Sequence, residues 1–174
     1  TYLNSHSRPE PLVSRMQANV PAVDGTLVRD ALRTIVPDGV HLSVWDATLT
    51  ADLYPVEQEF LVRAVASRRE EFRRGRTVAR AALAAAGAPL TAIPVGRDRQ
   101  PIWPAGFTGS ITHTTGLVAA IAAQAGVVRA LGLDAELLQP LPNDVRASVL
   151  HPCEEHVDPV HETVVFSEIG RAHV

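Results

Sequence analysis

The sequence has no lysine: all 16 basic residues are arginine, set against 19 acidic ones for a formal net charge of −3. Without a basic surplus the chain is not a general nucleic-acid binder, since such affinity rests on neutralising many phosphates. Alanine is abundant, so the arginine-only usage reads as the codon bias of a GC-rich coding sequence and carries no mechanism. Cysteine occurs once, at Cys153, which excludes an internal disulfide and favours a reducing, cytoplasmic setting over a thiol-stapled secreted domain. No apolar run approaches the ~18 residues of a helical membrane span. Aromatic residues make up 5 %, so the core must be built from aliphatic side chains and alanine. What is present, 174 residues of which 46 % are hydrophobic, is enough for one soluble domain with one core.

Both ends read as foreign to that domain. Residues 1–15 form a polar, proline-containing leader without the apolar stretch of a signal peptide, and Met16 is the expected natural start. The last seven residues, "EIGRAHV" (168–174), are what a common short-read sequencing adapter gives when translated in one frame. Native sequence is therefore expected to stop at or near Ser167.

Between the ends, Val40, Leu42 and Val44 alternate with His41 and Ser43, which predicts a half-buried strand over 40–46. Pro55 suits a first helical turn, and Ser67 with Glu70 fits an S-x-x-E capping box, predicting a second helix over 68–86 closed by Gly87 and Pro89. On that helix Arg69, Arg73, Arg76 and Arg80 fall on one stripe beside the apolar Phe72, Ala79 and Leu83. The row thus borders the buried face, either as a solvated surface paired with Glu70 and Glu71 or as a bed for an anionic ligand. Residues 88–106 predict a short strand, a turn carrying Arg97 and Arg99, and a loop through Pro101, Trp103 and Pro104. The runs 117–124 and 127–136 predict a hairpin turning at Ala125-Gly126, with helix as the competing assignment for the alanine-rich first run.

Three groups of residues carry chemistry. In "LGLDAE", Asp134 and Glu136 stand two apart at a strand end, so both side chains leave one face while Leu131 and Leu133 stay packed. Two convergent carboxylates repel unless a cation lies between them; they read either as ligands of a hard divalent ion such as Mg²⁺ or as a hydrated strand end. In "GSITH", Ser110 and His113 raise a nucleophile and its base, but no G-x-S-x-G elbow is present, and three residues apart on a strand they face opposite ways. This argues against a hydrolase built on Ser110, His113 and Asp134. The third group, His151, Cys153 and His156, invites zinc but has no second Cys/His pair at finger-like spacing.

"SRREEFRRGRTVARAAL", "GRDRQPIWP", "GSITH" and "LGLDAE", in this order and at these intervals, resemble the 4′-phosphopantetheinyl transferases of the enterobactin-synthase type, over roughly residues 40–145. The resemblance implies an α/β (α+β) fold of two pseudo-symmetric halves: residues 16–125 as the first and 126–167 as the start of a second, incomplete one. It implies Mg²⁺-dependent transfer of the 4′-phosphopantetheine arm of coenzyme A to a serine of an acyl- or peptidyl-carrier protein; nothing in the sequence demands a dimer, so a monomer is expected. Asp134 and Glu136 would hold that Mg²⁺. Arg76 and Thr77, with Arg68 at the head of the helix, match positions that grip the nucleotide phosphates. His113 matches a histidine that reaches a coenzyme A phosphate, and Ser110 opens the same motif as a binding residue. Arg99 and Pro101 resemble the edge of the adenine site, with Arg97 as the other candidate for the aligned base.

The family continues past "VVFS" (164–167) into a helix that supplies a third acidic ligand and a lysine; here the adapter-like tail stands instead. Loss of one electrostatic donor costs ~3–4 kcal/mol of transition-state stabilisation, so the chain as written is expected to be nearly or wholly inactive. A non-enzymatic module that binds coenzyme A or a nucleotide is the alternative.

Overall fold

The computed structural model describes residues 25–50 and 52–137. The elements run α1 (Gly25–Arg33), β1 (His41–Val44), α2 (Pro55–Glu59), α3 (Ala66–Ala85), β2 (Phe107–Thr114) and β3 (Leu117–Gln124). The leader 1–15, Met16, the His151, Cys153 and His156 group and the tail 168–174 lie outside the described residues.

The three strands form one antiparallel sheet in the order β1-β3-β2. β2 and β3 are joined by the two-residue turn Thr115-Gly116, with Phe107 opposite Gln124 and His113 opposite Val118. β1 pairs with the other edge of β3, His41 opposite Ala122 and Val44 opposite Ala119. A strand buried on both faces reads as an unbroken apolar run, which is why "LVAAIAAQ" is strand despite its alanine content. On one face Val118, Ala120 and Ala122 pack against Val78, Ala79, Ala82 and Leu83 of α3, with Ile93 closing the layer. The small alanine side chains bring the helix close to the sheet. On the other face Ile121 and Ala123 meet Val40, with Val128, Leu131 and Leu133 packed over them.

The long helix ends as its sequence predicts. Ala88 N–H donates to Leu83 O at 2.9 Å and Gly87 N–H to Ala84 O at 3.0 Å, a Schellman closure with Gly87 left-handed at φ 88°. Its start differs from expectation: the helix begins at Ala66 after Val65, and Ser67 caps nothing. Glu70 is drawn away by Arg73 and Arg74, which donate to it at 2.7–2.9 Å.

Two further expectations are corrected. Residues 127–136 form no strand and no hairpin with β3; the edge of β3 they would need is taken by β1 and β2. The expected short strand after residue 88 is only a bridge, Val95 with Pro101, below a turn closed by Gly96 N–H donating to Gln100 O at 2.8 Å.

Candidate functional site

A cleft of about 620 Å³ opens between the first half of α3, strand β2 and the loop at 100–103. Helical periodicity turns Arg68, Glu71, Phe72, Gly75 and Arg76 of α3 toward it, and β2 contributes Gly109, Ser110, Ile111 and His113. Gln100, Pro101 and Trp103 form the third wall, and Leu131 the edge. Gly109 is required there: a Cβ would lie 2.7 Å from Ile121 O and 2.8 Å from the Trp103 ring. The missing Cβ leaves room for the outer edge of the indole to approach the strand.

Arg76 is the cation of the cleft held most firmly. Its Nε donates to Ile93 O at 2.8 Å and its guanidinium stacks over the Phe72 ring at 4.3 Å. Burial lowers its pKa to about 10, with Glu57 acting to raise it and Arg80 and Arg68 to lower it further. The group stays charged at neutral pH but is poorly solvated, the condition in which an arriving phosphate is bound most strongly.

Arg80, four residues on, is buried too but serves the fold. Its guanidinium donates to the Glu57 carboxylate at 2.8 and 3.0 Å and to Asp52 O at 3.0 Å. The arginine row is therefore not one surface: Arg69 is exposed and donates to Ala64 O, Arg73 is paired with Glu70, and the last two members enter the core. Arg73 and Arg74 also lie over the Trp45 ring, each at 5.3 Å.

The cleft gathers Arg68, Arg76, Pro101, Ser110 and His113 among the residues singled out in the sequence. Ser110 and His113 do face opposite ways. His113 Nδ1 lies 3.2 Å from Glu71 of α3, whereas Ser110 Oγ accepts from Leu133 N–H at 3.0 Å on the far side of the strand. Ser110 thereby ties "GSITH" to "LGLDAE". Thr77 is buried and donates to Arg73 O at 2.9 Å within the helix, and it does not line the cleft. Arg97 and Arg99 stand exposed on the turn, Arg99 with a left-handed φ of 65°.

Asp134 and Glu136 are exposed while Leu133 and Ala135 between and beside them are half-buried, so the alternation of an extended segment holds without a ladder. Neither carboxylate lines the cleft, though Leu131 of the same segment does. Asp134 accepts from Ala135 N–H at 3.0 Å. Among the described residues no three His, Cys, Asp or Glu side chains converge on a metal-sized point. Two exposed oxygen donors on one side suit a Mg²⁺ that takes its other positions from water and ligand phosphates.

No sequence pattern singled out Glu57, and Glu71 stood out only as a surface ion-pair partner and Trp103 only as a loop residue. Glu57 accepts from Tyr54 N–H three positions before it, but its other partners, Arg80 and Ile93, lie 23 and 36 positions away. Glu71 falls three residues after Arg68, a spacing that does predict a helical ion pair.

Part of the chain matches a known family. Residues 56–123 match the family model of the 4′-phosphopantetheinyl transferase N-terminal domain. The match takes in α3, the loop at 100–103 and the β2–β3 hairpin, the elements that build the cleft. The chain is similar to the 4′-phosphopantetheinyl transferase Npt of Nocardia iowensis, 40 % identical over 71 % of this chain and 56 % of that protein. It is similar also to the transferase PptT of Mycobacterium tuberculosis (36 % identical, 75 % of this chain, 58 % of that protein) and to Svp of Streptomyces mobaraensis (43 %, 59 % and 42 %). The chain thus spans about half the length of the curated relatives it matches.

Proposed function

We propose that this chain contributes the coenzyme A-binding half of a 4′-phosphopantetheinyl transferase of the enterobactin-synthase type, cytoplasmic and monomeric. The reaction is transfer of the phosphopantetheine arm to a serine of an acyl- or peptidyl-carrier protein, with release of 3′,5′-ADP. Residues 16–125 form the first half in this reading and 126–167 open the second. The observation that carries it is the convergence of Arg68, Arg76 and His113 on one cleft, within a segment whose relatives are named for this transfer.

Coenzyme A bears a pyrophosphate and a 3′-phosphate, so its site needs several N–H donors. Arg76 supplies a desolvated guanidinium fixed at Nε, leaving its terminal nitrogens for phosphate oxygens. Arg68 and His113 add donors at the mouth, while Pro101, beside Trp103, gives the adenine an apolar wall, and Arg99 reaches the adenine edge from the exposed turn. Thr77 acts from within α3 by bonding the Arg73 carbonyl, one turn before Arg76's own position on the cleft side. Ser110 binds and positions rather than attacks, because its hydroxyl is engaged by the Leu133 backbone. Asp134 and Glu136 would hold Mg²⁺, which when bound neutralises pyrophosphate charge during attack by the carrier serine. Their exposure and common side support that role.

The transfer is tested by the intact mass of an apo-carrier protein incubated with the protein, coenzyme A and Mg²⁺. A gain of one phosphopantetheine arm per carrier is expected from a version extended to the length of the relatives, and little or none from the chain as written. An unmodified carrier with the extended version, beside measurable coenzyme A binding, would leave a binding module and remove the transferase.

A further inference from the structure

Glu71 has no part in the reading above, yet it lies inside the cleft. One of its oxygens accepts from Arg68 at 2.7 Å, and the other lies 3.2 Å from His113 Nδ1. A single carboxylate therefore stands against both Arg68 and His113 at the mouth of the cleft. Arg76, deeper in, is held by a backbone carbonyl and the Phe72 ring instead.

Carboxylate and phosphate oxygens compete for the same N–H donors. The three side chains are 37 %, 49 % and 45 % exposed for Glu71, Arg68 and His113, so the cluster opens without disturbing the core. We infer that Glu71 is an internal competitor for the anion site, an acidic side chain that occupies Arg68 and His113 until a ligand phosphate displaces it. This rests on the proposed phosphate-binding role of those two residues. It sets a threshold: a ligand must present more charge, or more acceptor oxygens, than the carboxylate it replaces. A dianionic phosphate does so, whereas a metabolite bearing only a carboxylate does not.

The sign of one substitution decides between competitor and support. Glu71→Gln keeps the shape and removes the charge. If Glu71 competes, coenzyme A binds the variant more tightly, by roughly three- to tenfold given the modest worth of two exposed pairs. In an Arg68→Gln, His113→Gln background the same change gives no gain, because the two side chains it competes for are gone. Affinities are read by calorimetric titration of coenzyme A into the folded chain, with circular dichroism melts confirming that each variant folds. Binding by the parent chain with equal or weaker binding by Glu71→Gln overturns the inference alone and makes Glu71 a support for His113. A persistent gain in the doubly substituted background overturns it as well. No binding by either folded chain overturns the inference together with the function it rests on.

Discussion

Glu57 is fully enclosed, and its carboxylate accepts hydrogen bonds from Arg80 at 2.8 and 3.0 Å, Ile93 N–H at 2.8 Å and Tyr54 N–H at 2.9 Å. The Ile93 peptide passes this constraint on, since its carbonyl takes the Arg76 Nε proton. Removing one partner of such a pair leaves an uncompensated buried charge, at a cost of about 3–5 kcal/mol. Glu57→Ala is expected to lose that much in urea unfolding, and a Glu57→Leu, Arg80→Met double variant far less. Equal loss in both would show that the pair's packing matters and its charge does not. At this scale the sequence revealed which residue types would act but not what holds them. The arginine spacing placed Arg76 and Arg80 beside the core, and the structure carries both into it. Their acceptors come from segments remote in sequence, and no local pattern announces a partner so far away.

At the scale of elements, helix α3 has an acid-sensitive outer face. Arg73 and Arg74 hold the Glu70 carboxyl down from 4.5 to about 2, chiefly by side-chain hydrogen bonds. A depressed carboxylate stabilises the fold fully above its unfolded pKa, and the contribution is lost as pH falls through the folded value. The pairs are substantially exposed, so the effect is small: the melting temperature of the parent chain should fall between pH 4.5 and 2 by more than that of Glu70→Gln. Parallel profiles for the two would remove these pairs from the stability of α3. Periodicity located α3 and β1, whose apolar residues repeat or alternate as burial enforces, whereas β3 is an unbroken apolar run that periodicity alone left between strand and helix. It failed at residues 127–136, whose composition suits a strand but whose neighbours leave no edge to pair with. It failed also at Ser67, where a capping pattern is overridden by stronger charge-assisted bonds to Glu70.

For the whole molecule, the cleft exists because α3 crosses the sheet with its arginine-bearing half over β2. The mixed helix and antiparallel-sheet architecture was legible from the sequence, and so were five of the residues that the cleft collects. What could not be read was depth: Thr77 lies inside the helix packing, Arg99 stands on an exposed turn, and the two carboxylates lie beyond the cleft wall. Among the described residues no helix is long and apolar enough to cross a membrane, as the absence of long apolar runs required. In the proposed function this cleft binds the phosphates of coenzyme A through Arg76. Calorimetric titration of coenzyme A into the chain and into Arg76→Ala is the decisive measurement. Loss of one charged hydrogen-bonding group predicts affinity weaker by about tenfold or more in the variant, with its fold retained. Equal affinity in the two, or no binding by the folded parent chain, would contradict it.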